Sequence, residues 1–358
     1  MTETPHPGGR AWIGEFEVAR IGYGAMQLEP ESTSTEDAVA LLRRTVELGV
    51  NHIDTASFYS DGEVNRRIRA ALAPYRDDFV IVSKVGARSV SGGLIPLASA
   101  QKPAELRAAV EADLEQLGLD RIPVVNLRRL DLGPGLQAEG DQIVDLDDQL
   151  AEMLALREEG KIGAIGISSV PLEIVRRALP AGIVCVQNAY SLLNRSQEVL
   201  LNLCVAENIA WVPYFPLGSS FPGFPKVAAD PVVLGIADEL GATPSQIGLA
   251  WLLAHTSSTL LIAGTRSIGH LEENLGAGDI VLDSDALARL DAVYDPATDP
   301  LVDSLPHPSD PLCIGGREPS CAIRQTVGDV PAAASVVAAV GEQLANGDGV
   351  EAFLDEGR

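Results

Sequence analysis

The chain has 358 residues, 46% of them apolar, so it is long enough to bury one large core and too apolar for wholesale disorder. Lys and Arg number 26 against 50 Asp and Glu, a net charge of −24. A surface this acidic repels phosphate backbones and anionic lipid, which argues against nucleic-acid and membrane partners and means that an anionic cofactor would need local cations and backbone N–H groups.

The opening residues carry no charged-then-apolar leader, and "GLAWLLA" and "VPAAASVVAAVG" are too short to cross a bilayer. Cys185, Cys204, Cys313 and Cys321 make no CxxC pair and have no histidine at ligand spacing, so a reduced, cytoplasmic protein without a structural metal is expected.

In chain order, "EFEVARIGYG" reads as a hairpin running into a first strand. The helix "TEDAVALLRRTVELG" follows, with Thr35 as N-cap and Gly49 just past its end. Strand "VNHID" then precedes helix "GEVNRRIRAALA", and strand "FVIVSK" precedes helix "PAELRAAVEADLEQLG". Strand "PVVNLRR" precedes "DLDDQLAEMLALREEG", "IGAIGIS" precedes "PLEIVRRAL", and "IVCVQNA" precedes "SQEVLLNLCVAEN". Strand "IAWVPY" is followed by "VVLGIADELG" and "PSQIGLAWLLAH", and strand "TLLIAG" by "IGHLEENL".

Eight strands alternate with helices, and their apolar runs are nearly continuous, as in parallel strands covered on both faces. A doubly wound open sheet would need a phosphate loop after its first strand. "GYGAMQ" lacks the third glycine and runs into loop, so the reading is an α/β fold, a (β/α)8 TIM barrel with an N-terminal β-hairpin. The barrel is expected over residues 1–294 and a C-terminal extension, loop plus helix, over 295–358.

In such barrels the chemistry sits where strands end. Here the ends carry Asp54 and Tyr59, then Lys84, then Arg128, which would converge on one mouth. Taken singly, an Asp at a strand end is a loop cap and a Lys there simply reaches solvent. On consecutive strands that reading weakens.

"GVNHIDTASFYSDGEVN", "FVIVSKVG", "IGAIGISS", "VQNAYSLLNR", "WVPYFPLG" and "IAGTRSIGHLEEN" follow one another in an order that resembles the aldo-keto reductases, over about Glu15 to Tyr294. "GYGAMQL" and "VVNLR" look like the bacterial branch that includes pyridoxal reductases. The resemblance implies reduction of an aldehyde or ketone by hydride from NADPH, with Tyr59 as proton donor. A free phenol has a pKa of about 10, too high for easy proton exchange near neutrality. Lys84 beside it would favour the phenolate, and Asp54 would keep Lys84 placed and charged.

Where the family usually has a histidine at the end of the fourth strand, this chain has Arg128. An arginine cannot give up its proton at working pH, but it can polarise a carbonyl oxygen or clamp an anionic group. The alternative is that Arg128 pairs with an acidic loop residue such as Asp61 and only shapes the mouth. Arg129 is expected to face the other way, and His52 to be a hydrogen-bonded core histidine.

The resemblance also assigns a cofactor side. Ser168 and Gln187 match the positions holding the nicotinamide carboxamide, with Ser169 where the family often has Asn. Tyr214 matches the aromatic on which the ring stacks, and Gly24, Ala25 and Met26 would line its other approaches. Leu217, Gly218 and Ser219 match the loop under the pyrophosphate. Gly264, Thr265 and Arg266 would meet the 2′-phosphate at a helix start, with Gln246, Glu273 and Asn274 on the adenine side and His270 where the family commonly has Arg. This favours NADPH over NADH. The extension, rich in Pro, Asp and Ser before an Ala/Val-rich helix, could be a lid, a subunit contact or a loosely docked appendage. The missing histidine leaves open a second function class, a nicotinamide-binding regulatory or scaffold protein with little turnover.

Overall fold

A computed structural model describes residues 6–30, 32–91, 96–132, 136–218 and 225–299. The helix expected in the extension and Ser219 lie outside these residues.

Strands β1 (Arg10–Ile13) and β2 (Phe16–Ala19) form an antiparallel hairpin. β3 (Tyr23–Gly24), β4 (His52–Asp54) and β5 (Val80–Val85) start the parallel sheet. A second antiparallel hairpin, β6 (Ala87–Ser89) and β7 (Leu97–Ser99), follows β5. The sheet continues with β8 (Ile122–Arg128), β9 (Ile162–Ser168), β10 (Ile183–Gln187) and β11 (Ala210–Trp211), in the order β3-β4-β5-β8-β9-β10-β11.

The eighth stave expected from "TLLIAG" is present as a segment but not as a strand. Single parallel bridges, Trp211 to Thr259 and Ile21 to Leu261, close the ring between β11 and β3. Backbone bonds from Leu260 N to Trp211 O and from Gly22 N to Leu261 O, each 2.8 Å, complete the closure. Arg20 ties this seam to the adjoining helix end, donating to the carbonyls of Leu253 and Thr256 at 2.7 Å.

Helices surround the sheet: α1 (Thr35–Glu47) after β3, α2 (Glu63–Leu72) after β4, α3 (Pro103–Leu117) after β5 and α4 (Leu146–Glu158) after β8. α5 (Leu172–Ala178) follows β9, α6 (Glu198–Ala206) follows β10, α7 (Pro231–Leu240) and α8 (Pro244–His255) follow β11. α9 (Ile268–Gly276) follows the closing segment, and α10 (Ser284–Asp291) ends the series. The N-cap of α1 is Ser34, whose hydroxyl accepts from Asp37 N at 3.1 Å, so the helix begins one residue earlier than a Thr35 cap would place it. Gly49 does sit past its end, with φ 93°.

Alternation along the strands divides the core in two. Ile81, Val125, Ile165, Ile167 and Val186 pack outward under the helices. Val80, Val82, Val124, Ala164, Cys185, Ala210 and Leu260 pack inward, and Ile13 and Val18 of the hairpin join them as a floor. The bottom of the barrel is thus shut by apolar side chains, which leaves the opposite end for chemistry. His52 also points into this interior, 1% exposed, but neither ring nitrogen finds a partner among the described residues. The expectation of a core histidine therefore holds and that of its hydrogen bond does not. Gly22 makes room for the ring, since a Cβ there would lie 2.1 Å from His52 Nε2.

Candidate active site

β4 and β5 pair with Asp54 opposite Val82, which sets Asp54 and Lys84 side by side at the upper rim. Lys84 Nζ donates to Asp54 Oδ1, to Tyr59 OH at 2.9 Å and to the Thr55 carbonyl at 3.0 Å. Asp54 and Lys84 are both buried, so neither charge would be tolerable without the other. Tyr59 is partly exposed and opens a tight turn in which Ser60 and Asp61 take left-handed φ values of 47° and 52°. Such conformations cost about 1 kcal/mol each in non-glycine residues, so the turn needs outside support. Ser89 of β6 supplies it, donating to the Phe58 carbonyl at 2.8 Å and accepting from Asp61 N at 3.3 Å.

Burial pushes the Tyr59 phenol up; Lys84 pulls it down, Asp54 pushes it up again, and Arg128 adds a further pull downward. The net direction is upward, so the two cations offset burial without overcoming it. Burial would lower the Lys84 ammonium, but Asp54 and Tyr59 outweigh it and hold the pKa above its ordinary value.

Arg128 ends β8 opposite Ser168 of β9. Its guanidinium lies 5.8 Å from the Phe58 ring centroid, and its charge reaches both Tyr59 and Tyr214. Among the described residues no carboxylate pairs with it, and Asp61 does not. Arg129 turns the other way, to Asp131 at 2.7 Å and to Gln149.

Ser168 and Gln187 are each 1% exposed and adjacent in register. Gln187 Nε2 donates to Asp54 Oδ2 at 2.9 Å, while Gln187 Oε1 is buried without a partner among the described residues. An orphaned acceptor beside the Lys84 cluster suits a carboxamide N–H₂, so the residues fit a nicotinamide. Ser169 takes φ 56° and places its hydroxyl 3.4 Å from Tyr214 OH. Tyr214 is bridged to Ala189 and half-buried at the same rim.

The remaining assigned residues spread along the rim next to the closing seam. Gly24 and Gly264 face each other, and a Cβ on either would meet carbonyl oxygen, Ile262 O at 2.4 Å or Gly24 O at 2.5 Å. Close backbone approach thus accounts for both glycines. Ala25 is buried and Met26 is 50% exposed beside them. Leu217 and Gly218 form a turn in which Gly218 has φ 95°. Thr265 is buried and accepts from Ser267 N at 3.1 Å, one turn before α9. Arg266 and His270 are exposed there, with Arg266 donating to the Ser32 carbonyl at 3.4 Å. Gln246 and Glu273 are occupied in capping: Gln246 bonds Thr243 N at 3.0 Å and Glu273 O at 2.9 Å, and the Glu273 carboxylate accepts from Thr243 Oγ1. Asn274 lies half-buried beside Glu273.

Thr55, which accepts from Lys84, and Ser89, which holds the Tyr59 turn, were not legible as site residues, nor was Asp113, which bonds Ser83 behind Lys84. Asp113 had a signal: Leu106, Val110, Asp113 and Leu117 form the buried stripe of α3, and one position in that stripe is a carboxylate.

A parallel barrel with a Lys–Asp–Tyr cluster at its open end defines an oxidoreductase of one class: the chain matches the Aldo/keto reductase family over residues 20–295 and belongs to it. Its relatives include pyridoxine 4-dehydrogenase of Escherichia coli (strain K12), 40% identical over 289 residues, which cover 78% of this chain and 96% of that protein. An uncharacterized oxidoreductase of Schizosaccharomyces pombe is 33% identical, covering 79% and 89% respectively. Among solved structures, an aldo/keto reductase from Klebsiella pneumoniae in complex with NADP and acetate superposes with a TM-score of 0.64 at 28% identity, over 78% of this chain and 92% of that one.

Proposed function

We propose that the protein is an NADPH-dependent reductase of aldehydes, with pyridoxal as substrate and Tyr59 as the proton donor. The observation that carries this reading is the contact of Lys84 Nζ with Tyr59 OH at 2.9 Å while the same ammonium is held by Asp54. The NADP complex of the Klebsiella relative and the name of the Escherichia relative support the cofactor and the substrate.

Bound NADPH supplies the hydride. Ser168 and Gln187 Oε1 would hold the carboxamide, Tyr214 would stack on the ring, and Thr265, Arg266 and the start of α9 would meet the far phosphate. His270, Asn274, Gln246 and Glu273 stand near that end, with the last two committed to helix capping. As negative charge develops on the carbonyl oxygen, Tyr59 gives it the phenolic proton and Lys84 stabilises the phenolate left behind. Asp54 keeps Lys84 charged throughout. Arg128, a cation without a carboxylate among the described residues, polarises the carbonyl oxygen and binds an anion beside it. The pyridoxal phenolate, next to the aldehyde, is such an anion.

The test is oxidation of NADPH by the purified protein, with pyridoxal beside neutral aldehydes and ketones. Fast turnover of pyridoxal bears the reading out. Activity on neutral carbonyls alone would discard pyridoxal and keep the reductase.

A further inference from the structure

Behind the site, on the helix side of the barrel wall, four fully buried polar side chains form one chain of hydrogen bonds. Asp113 of α3 accepts from Ser83 Oγ through Oδ2 and from Asn65 Nδ2 through Oδ1, each at 2.7 Å. Asn65 Oδ1 in turn accepts from Thr55 Oγ1 at 2.7 Å. Asn65 also donates to Gln116 Oε1 at 3.0 Å, so its amide has one possible orientation.

The two ends of this chain are sequence neighbours of the site. Strand alternation sends Ser83 outward because Lys84 points inward, and Thr55 outward because Asp54 points inward. The Thr55 carbonyl is, besides, one of the three acceptors that fix Lys84 Nζ. We infer that Asp113 is a positioning residue for the proton-delivery cluster, its single carboxylate holding from behind Ser83 directly and Thr55 through Asn65, the two residues that carry Lys84 and Asp54 into register. This inference rests on the reading of Tyr59 as the proton donor.

The choice of residue argues for a role beyond stability. Asp113 fills a position that the pattern of α3 gives to an apolar side chain, and a buried carboxylate that makes no ion pair among the described residues costs free energy that Leu would not. Burial pushes its pKa up to about 7, with Ser83, Asn65 and the charge of Lys84 across the strand pulling the other way. A group kept at that cost and aimed only at hydrogen-bond donors is an acceptor whose geometry matters.

The experiment compares Asp113→Asn, Ser83→Ala and, as a control on the same buried stripe, Val110→Ala. Turnover is measured per NADPH-binding site, and the Tyr59 phenol is titrated in the apo protein by NMR of labelled tyrosine, with Tyr59→Phe giving the assignment. Asp113→Asn and Ser83→Ala should each lower turnover about 10-fold, as small misplacements of reacting groups do, with NADPH affinity unchanged. Their effects should not add in the double variant. The Tyr59 pKa should rise by about half a unit or more in both, because Lys84 no longer sits squarely on the phenol. Val110→Ala should lower the melting temperature and leave turnover and the Tyr59 pKa alone. Asp113→Asn behaving like Val110→Ala would overturn the inference. A fall in the Tyr59 pKa would also overturn it, since that is the sign for removal of a distant negative charge. Ser83→Ala keeps the test open should Asp113→Asn fail to fold. Retained activity in Tyr59→Phe would reject the proton donor, whereas the titration still reports on the clamp.

Discussion

Gln187 donates to Asp54 Oδ2 and leaves its own Oε1 buried and, among the described residues, unpartnered. One amide therefore faces two ways, toward the carboxylate that holds Lys84 and toward the place assigned to the nicotinamide carboxamide. Gln187→Leu keeps the volume and removes both contacts. It should weaken NADPH binding by about 10-fold, the worth of one buried hydrogen bond, and lower turnover as well. Equilibrium binding followed by cofactor fluorescence checks this, and an unchanged affinity would take Gln187 out of the cofactor site.

Tyr59→Phe removes the hydroxyl that Lys84 contacts and little else. Turnover should fall by about 100-fold or more, the usual scale of general-acid catalysis, with NADPH affinity within a factor of about three. Steady-state rates beside direct binding separate the two effects.

Arg128 has no carboxylate partner among the described residues, so its replacement strands no buried anion. Arg128→Met should cost pyridoxal about 10- to 100-fold in kcat/KM and neutral aldehydes markedly less, since only the first has an anion to lose a cation. Equal losses on both would remove the clamp and leave only polarisation of the carbonyl.

Two buried groups should give stability opposite slopes with pH. His52, held near a pKa of about 4 by burial against an ordinary 6.5, contributes stability that is full above pH 6.5 and lost as pH falls through 4. Asp113, raised by burial from 3.8 to about 7, contributes stability that is full below pH 3.8 and lost as pH rises through 7. The shifts correspond to at most about 3 and about 4 kcal/mol. Urea unfolding across this range should show Asp113→Asn gaining on the parent as pH rises, and a constant difference would show that Asp113 does not titrate there.

The barrel was legible because parallel strands covered on both faces write near-continuous apolar runs, and because Asp54, Tyr59 and Lys84 fall at successive strand ends. What escaped has a physical reason in each case. "TLLIAG" has strand composition, but its pairing with β11 and β3 is limited to bridges, a tertiary outcome that local pattern does not encode. The β6–β7 hairpin is too short to announce itself, yet Ser89 on it holds the Tyr59 turn. Gln246 and Glu273 were assigned by position, and the capping they perform depends on how α8 and α9 meet.

The bridged closure gives the barrel a place where it can breathe. Seven staves are joined edge to edge, while the segment 259–262 is held by a few backbone bonds and by Arg20, which donates to the Thr259 carbonyl at 3.3 Å. Local opening is easiest where pairing is sparsest. Gly24 and Gly264, both assigned to the cofactor, flank this join on its two sides. A molecule lying across them would act as a staple, so NADPH should slow amide exchange at Gly22 and Leu261 far more than along β8 and β9. Exchange followed by mass spectrometry would then locate the dinucleotide by the motion it suppresses.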